Sequence, residues 1–259
     1  MKKITLFCML ILCGMVNTYA ASIIDHTENV KGPVKIMTVT SNQAGTVRVW
    51  KYWYDSIGRL TEFALYHDGK IMDDSYVRQY TINNVYMDYY YNQKGLIKGK
   101  FNQTQLDSLG NKIYVRFYRD GKLSGADSIV YNEQGKMIEN YIKQDSVFQL
   151  SYRCEYDSLN RLTMWYCKNT INNEITKTYE YLPDGSYIEH ESSTDYGKRP
   201  DKKYILNNQG QLIEIKGKEE HSRFLKFDKY GNWTIWKEVL IIPIGHFEYT
   251  YTREIEYYE

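Results

Sequence analysis

One short unit constrains this chain more than any other feature. Tyr156-Asp157-Ser158-Leu159-Asn160-Arg161-Leu162-Thr163 recurs almost unchanged as Tyr54-Asp55-Ser56-Ile57-Gly58-Arg59-Leu60-Thr61. Looser copies put Gly95, Gly110, Gly135, Gly185, Gly210 and Gly231 at its fifth position, with Asp107 and Asp228 at the second in their copies. The fifth position falls at 110, 135, 160, 185 and 210, a period of 25. A fixed period of this length means that each unit is one supersecondary element leaning on its neighbours.

The unit reads as a β-hairpin. Leu150-Ser151-Tyr152-Arg153-Cys154-Glu155-Tyr156 alternates apolar and polar side chains before the turn, and period-two alternation marks half-buried strands. Near the end, Phe247, Tyr249, Tyr251, Ile255 and Tyr257 share one phase, with Glu248, Thr250, Thr252, Glu254 and Glu256 on the other. Asp first and Gly fourth suit a type I turn followed by a left-handed residue. Asn160 fits that rule, because Asn tolerates the left-handed region better than other side chains. The unit is therefore two antiparallel strands around a Tyr-Asp-x-x-Gly turn.

The expected fold is all-β: tandem antiparallel β-hairpin repeats forming one long, twisted or curled sheet. Residues 46–259 form the array, and residues 21–45 a leader and first strand. Residues 71–105 fit the period poorly, with a 37-residue step from Gly58 to Gly95, so a longer connection or a degenerate hairpin is expected there. Charges along the last strand read as protection of an open edge.

Lys2, Lys3 and the apolar run Ile4 to Val16, followed by Thr18-Tyr19-Ala20, read as a signal peptide over residues 1–20, cleaved after Ala20. Export to the periplasm, the outer-membrane surface or the medium follows. Without Lys2 and Lys3, 31 basic residues face 32 acidic ones, which excludes the concentrated basic face of a nucleic-acid binder. No second segment is long and apolar enough for a transmembrane helix. The 27 tyrosines, each an apolar ring with a polar tip, suit a sheet wet on one side.

With Cys8 and Cys13 in the signal, Cys154 and Cys167 remain. The bulged turn places Cys154 opposite Met164 and turns Cys167 to the other face. A two-residue turn at Asn160-Arg161 would instead set Cys154 opposite Cys167 for a disulfide.

The Tyr-Asp-x-x-Gly-Arg-Leu-Thr unit resembles the YD repeat of the RHS family, most closely at 54–61 and 156–163. The ending, Phe227 to Thr234 followed by Arg253-Glu254-Ile255-Glu256-Tyr257-Tyr258, resembles the last module of short secreted YD-repeat proteins of Bacteroidota. The resemblance implies a β-rich extracytoplasmic protein and a carbohydrate binder. The chain has neither the self-cleaving segment nor the toxin domain of large relatives.

No catalytic constellation emerges. His26, His67, His190, His221 and His246 lack metal-ligand spacing, so no metal and no cofactor are expected. The candidate ligand-binding residues are Trp50, Trp53, Trp165, Trp233 and Trp236. Alternation puts Trp50 and Trp53 on opposite faces, and Trp233 and Trp236 likewise. One core cannot hide all of these rings, and sugars stack on exposed ones. The triplet Asp-Ser-(Ile/Leu/Val) at Ser56, Ser108, Ser128, Ser146 and Ser158 resembles the O-glycosylation acceptor of secreted Bacteroidota proteins, in accessible turns. The expectation is a non-enzymatic, extracytoplasmic surface for a glycan or an envelope protein. A structural or interaction subunit of the envelope is the alternative, and a polysaccharide hydrolase a further one.

Overall fold

The computed structural model describes residues 30–43, 45–81, 83–144, 146–168, 173–218, 220–242 and 245–259. The signal peptide, most of the leader, His26, Asp145 and Glu219 lie outside them. The chain is built of strands β1 (Val34–Gln43), β2 (Thr46–Tyr54), β3 (Leu60–His67), β4 (Lys70–Ile71), β5 (Ser75–Tyr80), β6 (Val85–Asn92) and β7 (Gly95–Leu106). It continues with β8 (Lys112–Arg119), β9 (Lys122–Tyr131), β10 (Met137–Gln144), β11 (Val147–Tyr156), β12 (Leu162–Lys168), β13 (Glu174–Tyr181) and β14 (Tyr187–Ser193). The last are β15 (Gly197–Lys198), β16 (Lys202–Leu206), β17 (Leu212–Lys216), β18 (Glu220–Phe227), β19 (Trp233–Ile242) and β20 (Gly245–Tyr257).

The sheet is not open. Each strand pairs antiparallel with the next, and β20 returns to pair with β1 from Val34↔Tyr257 to Asn42↔Thr250. Two-residue β4 and β15 are flaps on β3 and β14, which leaves eighteen strands in a closed barrel wall. This corrects the long, curled, tandem-hairpin sheet. It also corrects the reading of β20 as a protected edge: the strand is paired on both sides, and Glu248, Glu254 and Glu256 are exposed outward. β1, the strand expected after the leader, is an integral part of the wall.

A bulge after the turn drives the closure. Tyr54 pairs with Leu60 and Trp53 with Glu62, so Thr61 is one residue too many. Ile113, Ile138, Thr163, Ile213 and Thr234 are extra in the same way. Each such bulge bends its strand and adds right-handed twist. Such bends, absent only from the β5–β6 and β13–β14 hairpins of this rim, curve an antiparallel sheet toward its own first strand, and closure removes both edges.

The bulge also resets the facing of side chains. Cys154 pairs with Trp165 and Tyr152 with Cys167, so both sulfurs lie on one face as diagonal neighbours. The expected pairing of Cys154 with Met164 is off by one, because Thr163 is skipped. Both thiols are buried and free.

The more buried face lines the inside. Met37, Val39, Trp50, Tyr52 and Val34 form its main apolar cluster, beside the β20–β1 seam. Along β20, Tyr249, Tyr251, Arg253, Ile255 and Tyr257 are buried or half-buried, while Glu248, Thr252, Glu254 and Glu256 are exposed. The outer face carries charge at mid-strand, with ion pairs Arg153–Glu139 at 3.0 Å and Lys237–Glu248 at 3.1 Å.

The repeated residues mark one rim of the barrel. Gly58 N–H donates to Asp55 O at 2.9 Å, and the Asp55 carboxylate accepts from the backbone of Ile57 and Arg59 and from the Arg59 guanidinium. Asp107, Asp157 and Asp228 hold their turns by the same backbone bonds. The closing residues Gly58, Gly110, Gly135, Asn160, Gly185, Gly210 and Gly231 have φ between 61° and 86°, which glycine adopts without strain. Tyrosine then joins one unit to the previous one. The hydroxyls of Tyr80, Tyr131, Tyr156 and Tyr181 donate to the carbonyls of Leu60, Lys112, Met137 and Leu162, at 2.9–3.1 Å. Arg59 and Arg161 stack on the rings of Tyr80 and Tyr181 at 4.4 and 4.2 Å.

Residues 71–105 keep this beat. The turn after Tyr80 ends at Asn83 and Asn84, both left-handed at φ 67° and 57°, midway between Gly58 and Gly110. Gly95 belongs to the β6–β7 turn at the opposite rim, so it is out of phase with the other copies.

Candidate functional site

The inner wall carries the chemistry. A row of rings runs Tyr179–Tyr187–Tyr204 across β13, β14 and β16, with centroids 6.0 and 4.6 Å apart. Another runs Phe224–Trp236–Tyr251 across β18 to β20, at 5.7 and 4.2 Å. Between them sit charges. Lys177 Nζ lies 3.2 Å from Glu189 and 3.3 Å from Glu191, and the Tyr204 hydroxyl donates to Glu189 at 3.3 Å. Lys202 pairs with Glu220. Burial opposes the Lys177 ammonium, but the two carboxylates hold its pKa above the usual lysine range. Burial and the Glu189 charge push Tyr179, Tyr187 and Tyr204 up, so these phenols stay neutral hydrogen-bond donors.

This sector is wet. The side chains of Lys177 and Lys202 keep 24% and 15% of their accessible surface although they point inward at mid-wall. The β18–β1 sector is dry. Glu238 and Arg253 keep 3% and 5%, and Ser41, Ser222 and Trp236 at most 2%. Glu238 is pushed up to about 7, first by burial and then by the charge of Glu220. Burial alone pulls Arg253 down to about 10.

The tryptophans divide otherwise than alternation suggests. Trp50 and Trp236 are buried inside, and Trp165 is half-buried inside. Trp233 also faces inward, 6.1 Å from Trp236 and under Arg253 at 3.8 Å. The extra Thr234 puts both rings on one face, correcting their expected separation. Trp53 is half-buried on the outer wall, opposite Glu62.

Ser56, Ser108 and Ser158 are exposed at turn tips, and Ser146 is exposed in the opposite-rim turn. Ser128 is not in a turn: it is half-buried within β9, opposite Tyr114. His190 is flanked by Asp201 at 2.9 Å, and His221 by Glu214 at 2.8 Å, both on the outer wall. Glu189 and Glu191 turn inward, so they cannot converge with His190. Among the described residues no group of three His, Cys, Asp or Glu side chains is placed to hold a metal ion.

Glu238 and Arg253 were the residues that sequence reading passed over. Their signal was phase: Glu238 alternates with Trp236, and Arg253 sits between Tyr251 and Ile255 in an aromatic register.

The fold and this lining define a closed, all-antiparallel β-barrel with an aromatic and charged interior. No family model and no curated protein matches the chain. Among solved structures it is similar to a porin-like protein from Bacteroides uniformis, at 10% identity and a TM-score of 0.50, over 88% of this chain and 99% of that one. That likeness is one of fold. A weaker match, TcdB2-TccC3, has a TM-score of 0.38 at 11% identity, over 80% of this chain and 15% of that one. No helix among the described residues is long and apolar enough to cross a membrane, a statement that does not bear on β-barrels.

Proposed function

We propose that the protein is an exported, non-enzymatic barrel of YD-type repeats that binds carbohydrate on its inner wall. The observation that carries this reading is the aromatic and charged inner wall from β12 to β18. The ring of Trp165 and the stacked pair Tyr187–Tyr204 stand beside Lys177, Lys202, Glu189 and Glu191, all ordered by the wall itself. Sugars need both elements, a ring face for their C–H surface and fixed polar groups for their hydroxyls. The basic start and apolar run of residues 2–16 support export. The outer charges at mid-strand support a wall facing water rather than hydrocarbon, where each would cost about 2–4 kcal/mol at the midplane.

A glycan array tests this with the mature chain. Specific binding is expected, lost in Trp165→Ala and Tyr204→Ala and retained in Trp53→Ala. Silence across bacterial and host glycans would overturn it.

A second reading, an interaction subunit of the envelope, draws on the outer wall. Phe101 stacks on Tyr118 there at 4.4 Å and meets Tyr89 at a tilt at 6.1 Å, near exposed Leu96 and Leu123. Crosslinking in intact cells tests it, with loss of a specific adduct in Phe101→Ser as the expected result. O-glycosylation at Ser56, Ser108, Ser146 and Ser158 remains part of the proposal. An unmodified intact mass of natively secreted protein would remove it.

A further inference from the structure

The dry sector of the inner wall is rich in hydrogen-bond donors that have nothing to donate to. Arg253 Nε and Nη2, Trp236 Nε1, Ser41 Oγ, Ser222 Oγ and Glu238 Oε1 are all buried without a hydrogen-bond partner. The strand register places them together. Ser222 is directly opposite Glu238, Trp236 directly opposite Tyr251, and Tyr251 directly opposite Ser41. Arg253 follows Tyr251 on the same face, opposite Val39. At ~4.8 Å between strands and ~6.8 Å between successive same-face residues, these groups share a patch of about 15 Å.

Their chemistry is one-sided. The guanidinium and the indole can only donate, and the serine hydroxyls can do so. Glu238, whose other oxygen accepts from Tyr251 at 3.4 Å, is pushed up to about 7 by burial and the charge of Glu220, so below neutral pH it carries a proton and adds a further donor. Glu220, the nearby carboxylate, is taken by Lys202. Trp233 covers one face of the guanidinium at 3.8 Å, leaving its in-plane N–H directions, which are those that grip a planar or tetrahedral oxyanion. A buried guanidinium with unpaired N–H groups is costly. Left unpaired, it marks a place shaped for something that accepts.

The geometry points to an anion subsite at Arg253, Trp236 and Ser41, positions within ~10 Å of one another, that takes the oxyanion of an acidic saccharide, a uronate carboxylate or a sulfate ester. It rests on the carbohydrate-binding reading and narrows it. The β12–β18 wall would hold the sugar rings, and the dry sector the charged substituent.

Tryptophan fluorescence of the full mature chain, titrated with oligogalacturonate, a chondroitin sulfate oligosaccharide and a neutral maltooligosaccharide, tests this. At least one anionic oligosaccharide should bind at least tenfold more tightly than the neutral one. Which of the two does so tells carboxylate from sulfate. Arg253→Gln should remove the preference, and Arg253→Lys should restore part of it. Trp236→Phe keeps an aromatic, though smaller, ring in the stack and loses the N–H, and should weaken the anionic ligand several-fold without changing the neutral one. It serves if Arg253→Gln fails to fold. Equal affinity for neutral and anionic sugars, or a preference that survives both Arg253→Gln and Trp236→Phe, would overturn the subsite while leaving the carbohydrate reading intact. Absence of binding to all three, with a silent glycan array, would fail both.

Discussion

Tyr156 shows what a single side chain does in this barrel. Its ring lies on the inner face of β11, and its hydroxyl reaches back to the carbonyl of Met137 at 2.9 Å, across from the preceding turn. That reach ties one turn to the turn before it at Tyr80, Tyr131, Tyr156 and Tyr181, while Leu106, Leu206 and Phe227 stand at this position in other units. Tyr156→Phe should cost about 1 kcal/mol, the net worth of one hydrogen bond, read as a fall in the urea midpoint. Tyr181→Phe should cost the same and add to it, because the two bonds share no atoms. Glu238 gives a residue-scale prediction with a sign. Its carboxyl is raised from 4.5 to about 7, so the folded state holds the proton more tightly than the unfolded one. Its contribution is therefore complete below the unfolded value and declines as pH rises from 4.5 to about 7, then levels. The shift corresponds to about 3 kcal/mol. Unfolding of the wild type across pH 4–8 should show this slope, and Glu238→Gln should flatten it. An unchanged slope in the variant would place the titration elsewhere. The legible part at this scale was the turn: Asp, Gly and Asn160 announce their conformations. Arg253 and Glu238 were legible only as charges in an aromatic phase, and phase read along a single strand does not say that the strand faces the inside of a ring.

At the scale of the hairpin, what sequence reading misses is the bulge. Thr61, Ile113, Ile138, Thr163, Ile213 and Thr234 are ordinary strand residues with no signature of their own. Strict alternation therefore carries every assignment beyond them to the wrong face, as it did for Cys167 and for one of the pair Trp233 and Trp236. The turn at Asn83 and Asn84 was missed for a related reason: asparagine replaces glycine there without the flanking Asp. The cysteines test the bulged register. Both are buried inside, and burial raises their pKa, so neither is a ready thiolate. Alkylation followed by peptide mass analysis should label Cys154 and Cys167 only after denaturation, with no disulfide-linked peptide in the untreated protein. Rapid labelling of Cys167 in the native state would put it on the outer wall and refute the extra residue at Thr163.

The whole molecule depends on one seam that no local pattern could reveal. The repeats specify neighbour on neighbour, whereas closure joins residues at the two ends of the chain. Lys31 and Asn232, separated by 201 positions, exchange two hydrogen bonds at 2.8 and 2.9 Å. Tyr258 donates its backbone N–H to Pro33 at 2.7 Å and its hydroxyl to Tyr54 at 2.6 Å. The tightest apolar cluster, Met37 with Val39, Trp50 and Tyr52, sits beside this seam, where contacts of high sequence separation must overcome the largest chain entropy. Thr40 and Thr252 face each other across it on the outer wall, and neither is fully buried. Thr40→Cys combined with Thr252→Cys should oxidise to an intramolecular disulfide, run faster on a non-reducing gel, and raise the unfolding midpoint. The loop-entropy limit is about 5 kcal/mol, with less expected in practice because of strain. Thr40→Cys combined with Lys237→Cys is the control: β19 lies one strand beyond β20, ~10 Å from β1, which is too far to bridge. If the Thr40–Thr252 pair stays reduced under conditions that oxidise an engineered pair across β19 and β20, such as Glu238→Cys with Tyr249→Cys, then β20 does not meet β1 in solution and the wall is open there. If it closes, the ring is the folded state, and the inner wall is an enclosed surface that a ligand must enter from a rim.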